Sequence, residues 1–172
     1  MINPVYIALI PLLPVISFLV IALVGRKYFP ALCGMVGTVT LLASFIIAAI
    51  VAYSYFYEAG AIDGVYQQIV ILKYTWLEFS PEMSIDMGIF LDPISVMMIV
   101  IVTFISLIVH IYSLGYMHED KRRSIYFSFL SLFTFSMLGL VLSCNIFQTY
   151  IFWELVGVSS FLLIGFYYTK PA

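Results

Sequence analysis

Apolar positions in this chain neither alternate nor trace a narrow helical stripe. They run in long, nearly unbroken blocks, at about Pro4 to Val24, Ala31 to Phe56, Asp92–Pro93 to Gly115, Ser124 to Leu142 and Phe147 to Tyr167. Each block is long enough to cross a hydrocarbon core of ~30 Å at ~1.5 Å per residue. The pattern predicts an all-α integral membrane protein with about five transmembrane helices. The interval from Glu58 to Leu91 reads differently. Gln67 to Leu77 is rich in β-branched and aromatic residues, Met83 to Leu91 is a second short run, and Ser80–Pro81 between them signals a turn. A short outward β-hairpin between the second and third spans is expected. The chain therefore divides into spans one and two (1–57), an extracytoplasmic hairpin segment (58–91) and spans three to five (92–172).

Local signals mark the ends and interiors of these blocks. Pro11 and Pro14 lie inside the first span and predict a kink or locally freed carbonyls. Arg26, Lys27 and Pro30 stop it. The second span carries Gly34, Gly37, Ala43, Ala48, Ala49 and Ala52, small residues that let helices approach closely in lipid. Asp92 is placed to cap the third span, with Pro93 at its first helical position. In that span Thr103, Ser106, His110 and Ser113 recur at steps of three and four and share one face, as do Ser124, Ser128 and Ser131 in the fourth. Ser143-Cys144-Asn145 is the break available for a tight turn before the fifth.

Composition agrees with this reading: 64% of residues are hydrophobic and 9% charged, against about a quarter charged in soluble domains. The formal net charge of −2 gives no reason to expect nucleic acid as a partner; the bilayer is the expected surroundings. Charge position is more informative. Five of the nine acids (Glu58, Asp63, Glu78, Glu82, Asp86) fall in the hairpin segment. Six of the seven bases (Arg26, Lys27, Lys121, Arg122, Arg123, Lys170) follow spans one, three and five, which end on the same side. That side is expected to be cytoplasmic, with the N-terminus and the hairpin outward, as in a multi-pass protein of the bacterial inner membrane. The first 25 residues carry no charge, so the first block lacks the basic start of a cleavable signal and reads as a retained helix. Cys33 and Cys144 are expected near opposite membrane faces, as small apolar fillers.

Candidate chemistry is sparse. From Ser124 to Thr169, Glu154 is the only charged residue. An acidic side chain at a helix centre costs about 2.5–3.5 kcal/mol on insertion scales, and intramembrane carboxylates of this kind mark ion pathways. Glu154 is expected near mid-depth, buried, and able to load and release a proton as burial and a cationic partner oppose each other. Gly157, one turn on, leaves room for a close neighbour. His110 is the second candidate, an imidazole suited to proton relay on a face that could hold water. His118 reads as solvated, Asp92 as a cap, Trp153 as packing and Trp76 as an interfacial anchor. No phosphate loop, dinucleotide fingerprint, haem-binding histidine pair or iron–sulfur cysteine cluster occurs in the sequence. No cofactor or metal is expected on this chain.

Several motifs occur in a fixed order: Phe90-Leu91-Asp92-Pro93-Ile94-Ser95, Val109-His110-Ile111-Tyr112-Ser113-Leu114-Gly115-Tyr116-Met117, Phe133-Thr134-Phe135-Ser136-Met137, Trp153-Glu154-Leu155-Val156-Gly157 and Leu162-Leu163-Ile164-Gly165-Phe166-Tyr167-Tyr168. Together they resemble the N-terminal part of subunit L of bacterial NADH:quinone oxidoreductase, chain 5 of respiratory complex I. The resemblance covers roughly the whole chain, with its specific motifs within 90–168. It implies an antiporter-like, proton-pumping membrane-arm subunit, with other membrane-arm subunits as partners and protons as the transported species. It implies that Glu154 is the family's intramembrane glutamate and His110 its third-helix histidine, and that 92–172 begins the antiporter-like domain. Family members are several times longer and pair the glutamate with a lysine on a later helix; Lys170, at the membrane edge, is not that lysine. The chain is thus expected to be an N-terminal piece, inactive alone. Two alternatives are the large subunit of a multisubunit cation/proton antiporter and a non-catalytic membrane interaction or assembly piece.

Overall fold

The computed structural model describes residues 4–59, 61–62, 65–80 and 83–168. Five described helices are long and apolar enough to cross a membrane. Helix α1 (Pro4–Val20) continues through a π-helical stretch, Ile21–Gly25, and a last turn, Arg26–Tyr28; α2 (Cys33–Tyr53) ends in a second π-helical stretch, Ser54–Ala59. Then come α3 (Pro93–Tyr116), α4 (Arg123–Val141) and α5 (Ile146–Ile164), the last closing in a 3-10 turn, Gly165–Tyr167. Between α2 and α3 lie two antiparallel pairs, the short β1 (Ala61–Ile62) with β2 (Val65–Tyr66), and the longer β3 (Ile69–Ser80) with β4 (Met83–Leu91). The five spans and the hairpin follow the sequence pattern. The small β1–β2 pair adds to it. Asp63, Glu82, Lys170 and Pro81 of the expected turn lie outside the described residues.

Local chemistry accounts for the boundaries. Asp92 adopts an extended backbone and its Oδ1 accepts from the Ser95 N–H at 2.7 Å, with Pro93 following, so α3 starts where the capping signal stood. Asn145 does the same for α5, its side chain accepting from the Gln148 N–H at 2.8 Å. In α1 neither proline breaks the helix. Pro14 has no N–H to offer the Ile10 carbonyl four residues back, and Ser44 of α2 donates to that oxygen at 2.8 Å. The freed carbonyl expected from the sequence is thus the acceptor that joins α1 to α2.

Helices α1 to α4 pack on one another, whereas the helix against which α5 is seated is α4. Two apolar clusters hold the bundle. One, at the hairpin end, joins Ile7 and Ile10 of α1, Ala48 and Val51 of α2, Val96 and Ile99 of α3, and Leu138 of α4. The other, at the opposite end, joins Ile21, Cys33, Met117, Phe127 and Phe166. The basic α3–α4 connection closes that second end, where the Arg123 Nε donates to the Pro30 carbonyl at 3.0 Å.

Between the clusters, each of the four helices places hydroxyls inward at its middle. Ser17, Ser44, Thr103, Ser131 and Thr134 are all buried. Small residues make the close approaches possible. A Cβ on Gly34 would stand 2.6 Å from Leu114 Cδ2 and 2.9 Å from Phe127 Cε2. The serine face expected on the fourth span, Ser124, Ser128 and Ser131, is buried throughout.

Candidate functional site

His110 lies within the buried polar layer, fully enclosed by α1 to α4. Its ring fits because α2 has a glycine opposite. A Cβ on Gly37 would sit 3.3 Å from the imidazole Cδ2 and 3.5 Å from Nε2. The Nδ1 atom stands 2.8 Å from the Ser106 carbonyl. A carbonyl can only accept, so Nδ1 carries the hydrogen and the neutral ring presents Nε2 as a bare acceptor. Nε2 has no hydrogen-bond partner among the described residues, although it is fully buried. Such an atom is costly unless something visits it.

Hydroxyls extend this layer on both sides. Ser106 and Thr134 share a short hydrogen bond, Ser17 and Ser131 stand 3.4 Å apart, and Ser113 reaches the Tyr126 hydroxyl at 3.3 Å. The face predicted for Thr103, Ser106, His110 and Ser113 therefore exists and points inward. Thr103 turns its hydroxyl back to the Ile99 carbonyl at 2.7 Å.

Glu154 stands at the middle of α5, but it is exposed rather than buried. The expectation of burial is corrected here, for a packing reason. Within Ile146–Ile164 the buried residues are Gln148 and Ser159, which define the face turned to α4. The opposite side of the helix is open, including Trp153 at 67% exposure, so the expected packing role of that tryptophan is also corrected. Among the described residues, nothing lies within 4 Å of the absent Cβ of Gly157. Tyr150, one turn before Glu154, is exposed on the same open side of the helix. Glu154 and His110 are not brought together: one is on the open face of α5, the other inside α1 to α4. Asp92 is a cap, as expected. His118 is exposed, and Trp76 is half exposed on β3.

Sequence reasoning missed the junction between the hairpin and α5. Gln148 makes two hydrogen bonds to one residue: the Gly88 N–H donates to its Oε1 at 3.1 Å, and its Nε2 donates to the Gly88 carbonyl at 2.8 Å. Phe90 N–H donates to the Leu142 carbonyl at 2.9 Å, and Asn145 Nδ2 donates to the Asp86 carbonyl. The one signal available was an amide side chain, uncharged but polar, at the start of an apolar span. Nearby, Lys73 Nζ lies 2.9 Å from Asp86 Oδ2. The hydrogen bond from Lys73, helped by one from the Thr75 hydroxyl, holds the Asp86 carboxyl below the usual carboxylate range. The same pairing raises Lys73. Both groups are at the surface, where such pairs contribute little.

Comparison with known proteins gives these positions a context. Residues 76–127, which run from β3 into α4 and include His110, match the family described as NADH-ubiquinone oxidoreductase (complex I), chain 5 N-terminus. NADH-quinone oxidoreductase subunit L of Neisseria meningitidis serogroup B is 41% identical over 167 residues, 95% of this chain and 23% of that protein. Subunit L of Rickettsia bellii is 42% identical over 164 residues, 95% of this chain and 24% of that protein. The chloroplastic NAD(P)H-quinone oxidoreductase subunit 5 of Anthoceros angustus is 40% identical over 167 residues, covering 95% and 22%. The chain thus spans about a quarter of the length of these relatives. In fold it is similar to a chain of the membrane-bound sulfane sulfur reductase, an archaeal respiratory membrane complex. The TM-score is 0.71 at 17% identity, covering 90% of this chain and 29% of that one. The fold is that of a multi-pass membrane protein.

Proposed function

We infer, because this chain belongs to the chain 5 (subunit L) family of NADH–quinone oxidoreductases, that it supplies the N-terminal part of an antiporter-like, proton-pumping membrane-arm subunit. In this reading electron transfer to quinone is coupled to proton translocation, and the electron carriers sit on other chains of the complex. Glu154 carries a proton or a charge within the membrane. The observation that supports this most directly is its position: a carboxylate at the middle of an apolar membrane helix, on a face that the bundle leaves open. A charge there costs about 2.5–3.5 kcal/mol unless it is paired. The open face argues for a cation brought by a neighbouring helix or subunit. When that cation approaches, Glu154 stays ionised; when it withdraws, the carboxyl takes up a proton. His110 acts in the interior as a second proton-accepting station through its bare Nε2.

The orientation that suits this reading puts the basic α1–α2 and α3–α4 connections in the cytoplasm and the hairpin outside, in a bacterial cell membrane. Other membrane-arm subunits are the natural neighbours of the open α5 face. The test is Glu154→Gln in the intact subunit, assembled in its complex. The proton-to-electron ratio is expected to fall while the subunit still assembles; a ratio equal to the wild type would sink the proposal.

A further inference from the structure

Helix α5 is held along one side. Along its length it packs on α4, where Phe152 enters the space left by Gly139 and meets Phe135 with ring centroids 5.7 Å apart. At its far end Arg122 Nη2 donates to the Phe166 carbonyl at 3.0 Å and the guanidinium lies over the Phe166 ring. At its start the hold is Gln148, buried, with both atoms of its amide engaged by the backbone of Gly88 in β4. A side chain that satisfies one donor and one acceptor of the same residue has little freedom to slide or rotate. Gly88 is itself buried between Ile71, Lys73 and Cys144. The clamp therefore ties the helix to the body of the hairpin.

We propose that Gln148 is a positioning residue for Glu154: the two-bond clamp on Gly88 sets the rotation and depth of α5, and with them the place of the carboxylate. This rests on the reading of Glu154 as the proton-carrying group. Gln148 and Ser159, eleven residues apart, lie within ~20° of each other around the axis and mark the seated face, while Glu154 lies about 120° from Gln148. A carboxylate ~5–6 Å from the axis moves through about 2 Å when the helix turns by ~20°. Displacements of ~1 Å at a reacting group are enough to change rates by ~100-fold. The hairpin outside the membrane thus fixes a group inside it. Of the groups around Glu154, Tyr150 belongs to the same helix and turns with it, and α4 carries no charged residue after Arg123.

The test uses the intact subunit in its assembled complex and a lipophilic carbodiimide, which attacks protonated carboxyls. Labelling at Glu154 is followed by mass spectrometry as a function of pH. Gln148→Leu removes both hydrogen bonds to Gly88, and with them the acceptor of the Cys144 thiol, and is expected to move the midpoint of labelling by about half a pH unit or more. Gln148→Asn, too short to make both bonds, moves it in the same direction by less. Gln148→Glu, which keeps one donor and one acceptor where its carboxyl is protonated, returns the profile towards the native one. Superimposable profiles in the assembled Leu and Asn variants overturn the proposal, as does a Glu variant shifted as far as the Leu variant. If Gln148→Leu does not assemble, Gln148→Asn against Gln148→Glu decides the matter. The readout is independent of pumping. A native proton-to-electron ratio in Glu154→Gln overturns the reading of Glu154 but leaves the profile result standing.

Discussion

Replacing Gly139 by alanine tests how α5 is seated. The alanine Cβ would stand 2.2 Å from Phe152 Cε1, 2.3 Å from Cδ1 and 2.6 Å from Cζ. Carbon atoms in contact prefer ~3.5–4.0 Å, so the ring must retreat by more than ~1 Å. It has little room, since its other side meets Phe135. Overpacking of this kind costs about 1–3 kcal/mol. Removing a glycine from a helix interior recovers about 1 kcal/mol, so the net change alone is a weak measure. Gly157→Ala provides the reference, because it makes the same helix-propensity gain with none of the described residues within 4 Å of the new methyl. The gap between the two variants isolates the steric cost. At ~2–4 °C per kcal/mol for a chain of this size, Gly139→Ala should melt about 2–12 °C below Gly157→Ala. The measurement is thermal unfolding of the purified chain in bilayer nanodiscs. In a Phe152→Ala background the gap should close. Equal melting temperatures of the two variants in the wild-type background would falsify the socket and the seating of α5 described above.

Three further outcomes follow from individual contacts. Ser44→Ala leaves the Ile10 carbonyl without its donor and should destabilise the bundle by about 0.6–1.7 kcal/mol; in a Pro14→Ala background, where the helix supplies an N–H again, the loss should vanish, as unfolding in nanodiscs will show. The Lys73–Asp86 pair sets a pH window for the hairpin. Asp86 is lowered from its ordinary value of 3.8, so its contribution is present above that value and is lost as pH falls through the lowered one. Lys73 is raised from 10.5, so its contribution is present below that value and is lost as pH rises through the raised one. Trp76 emission in a Trp153→Phe background should therefore show a small drop in melting temperature on the acid side, and Asp86→Asn or high salt should remove it. Gly37→Val crowds the imidazole of His110 and should change the nitrogen-15 NMR signature of its ring; an unchanged spectrum would contradict the close approach of α2 to the ring.

Much of this architecture was legible because it is written locally. Span lengths follow from uninterrupted apolar runs, the α3 start from Asp92–Pro93, and the freed carbonyl from Pro14. The inward face of α3 could be read from the spacing of Thr103, Ser106, His110 and Ser113. What escaped was pairing between distant segments. Gln148 meets Gly88 through backbone atoms, which carry no residue signature, across 60 positions of sequence. Lys73 reaches Asp86 past a register shift between Ile71 and Tyr74, where Leu72 takes a positive φ of 53°, and an alternating pattern does not foretell such a bulge. The exposure of Glu154 was missed for a related reason. Helix α5 is apolar on all sides, so its sequence does not say which face meets α4. That choice is made by Phe152 fitting Gly139 and by Gln148 reaching the hairpin.

In the proposed function, Glu154 gains and loses a proton within the membrane during turnover. Infrared difference spectroscopy of the assembled complex, recorded between resting and turning-over states, measures this directly. The account predicts a change in the carbonyl stretch of a protonated carboxylic acid that shifts on labelling glutamate with carbon-13 and is missing in Glu154→Gln. The same difference band persisting unaltered in Glu154→Gln would contradict it.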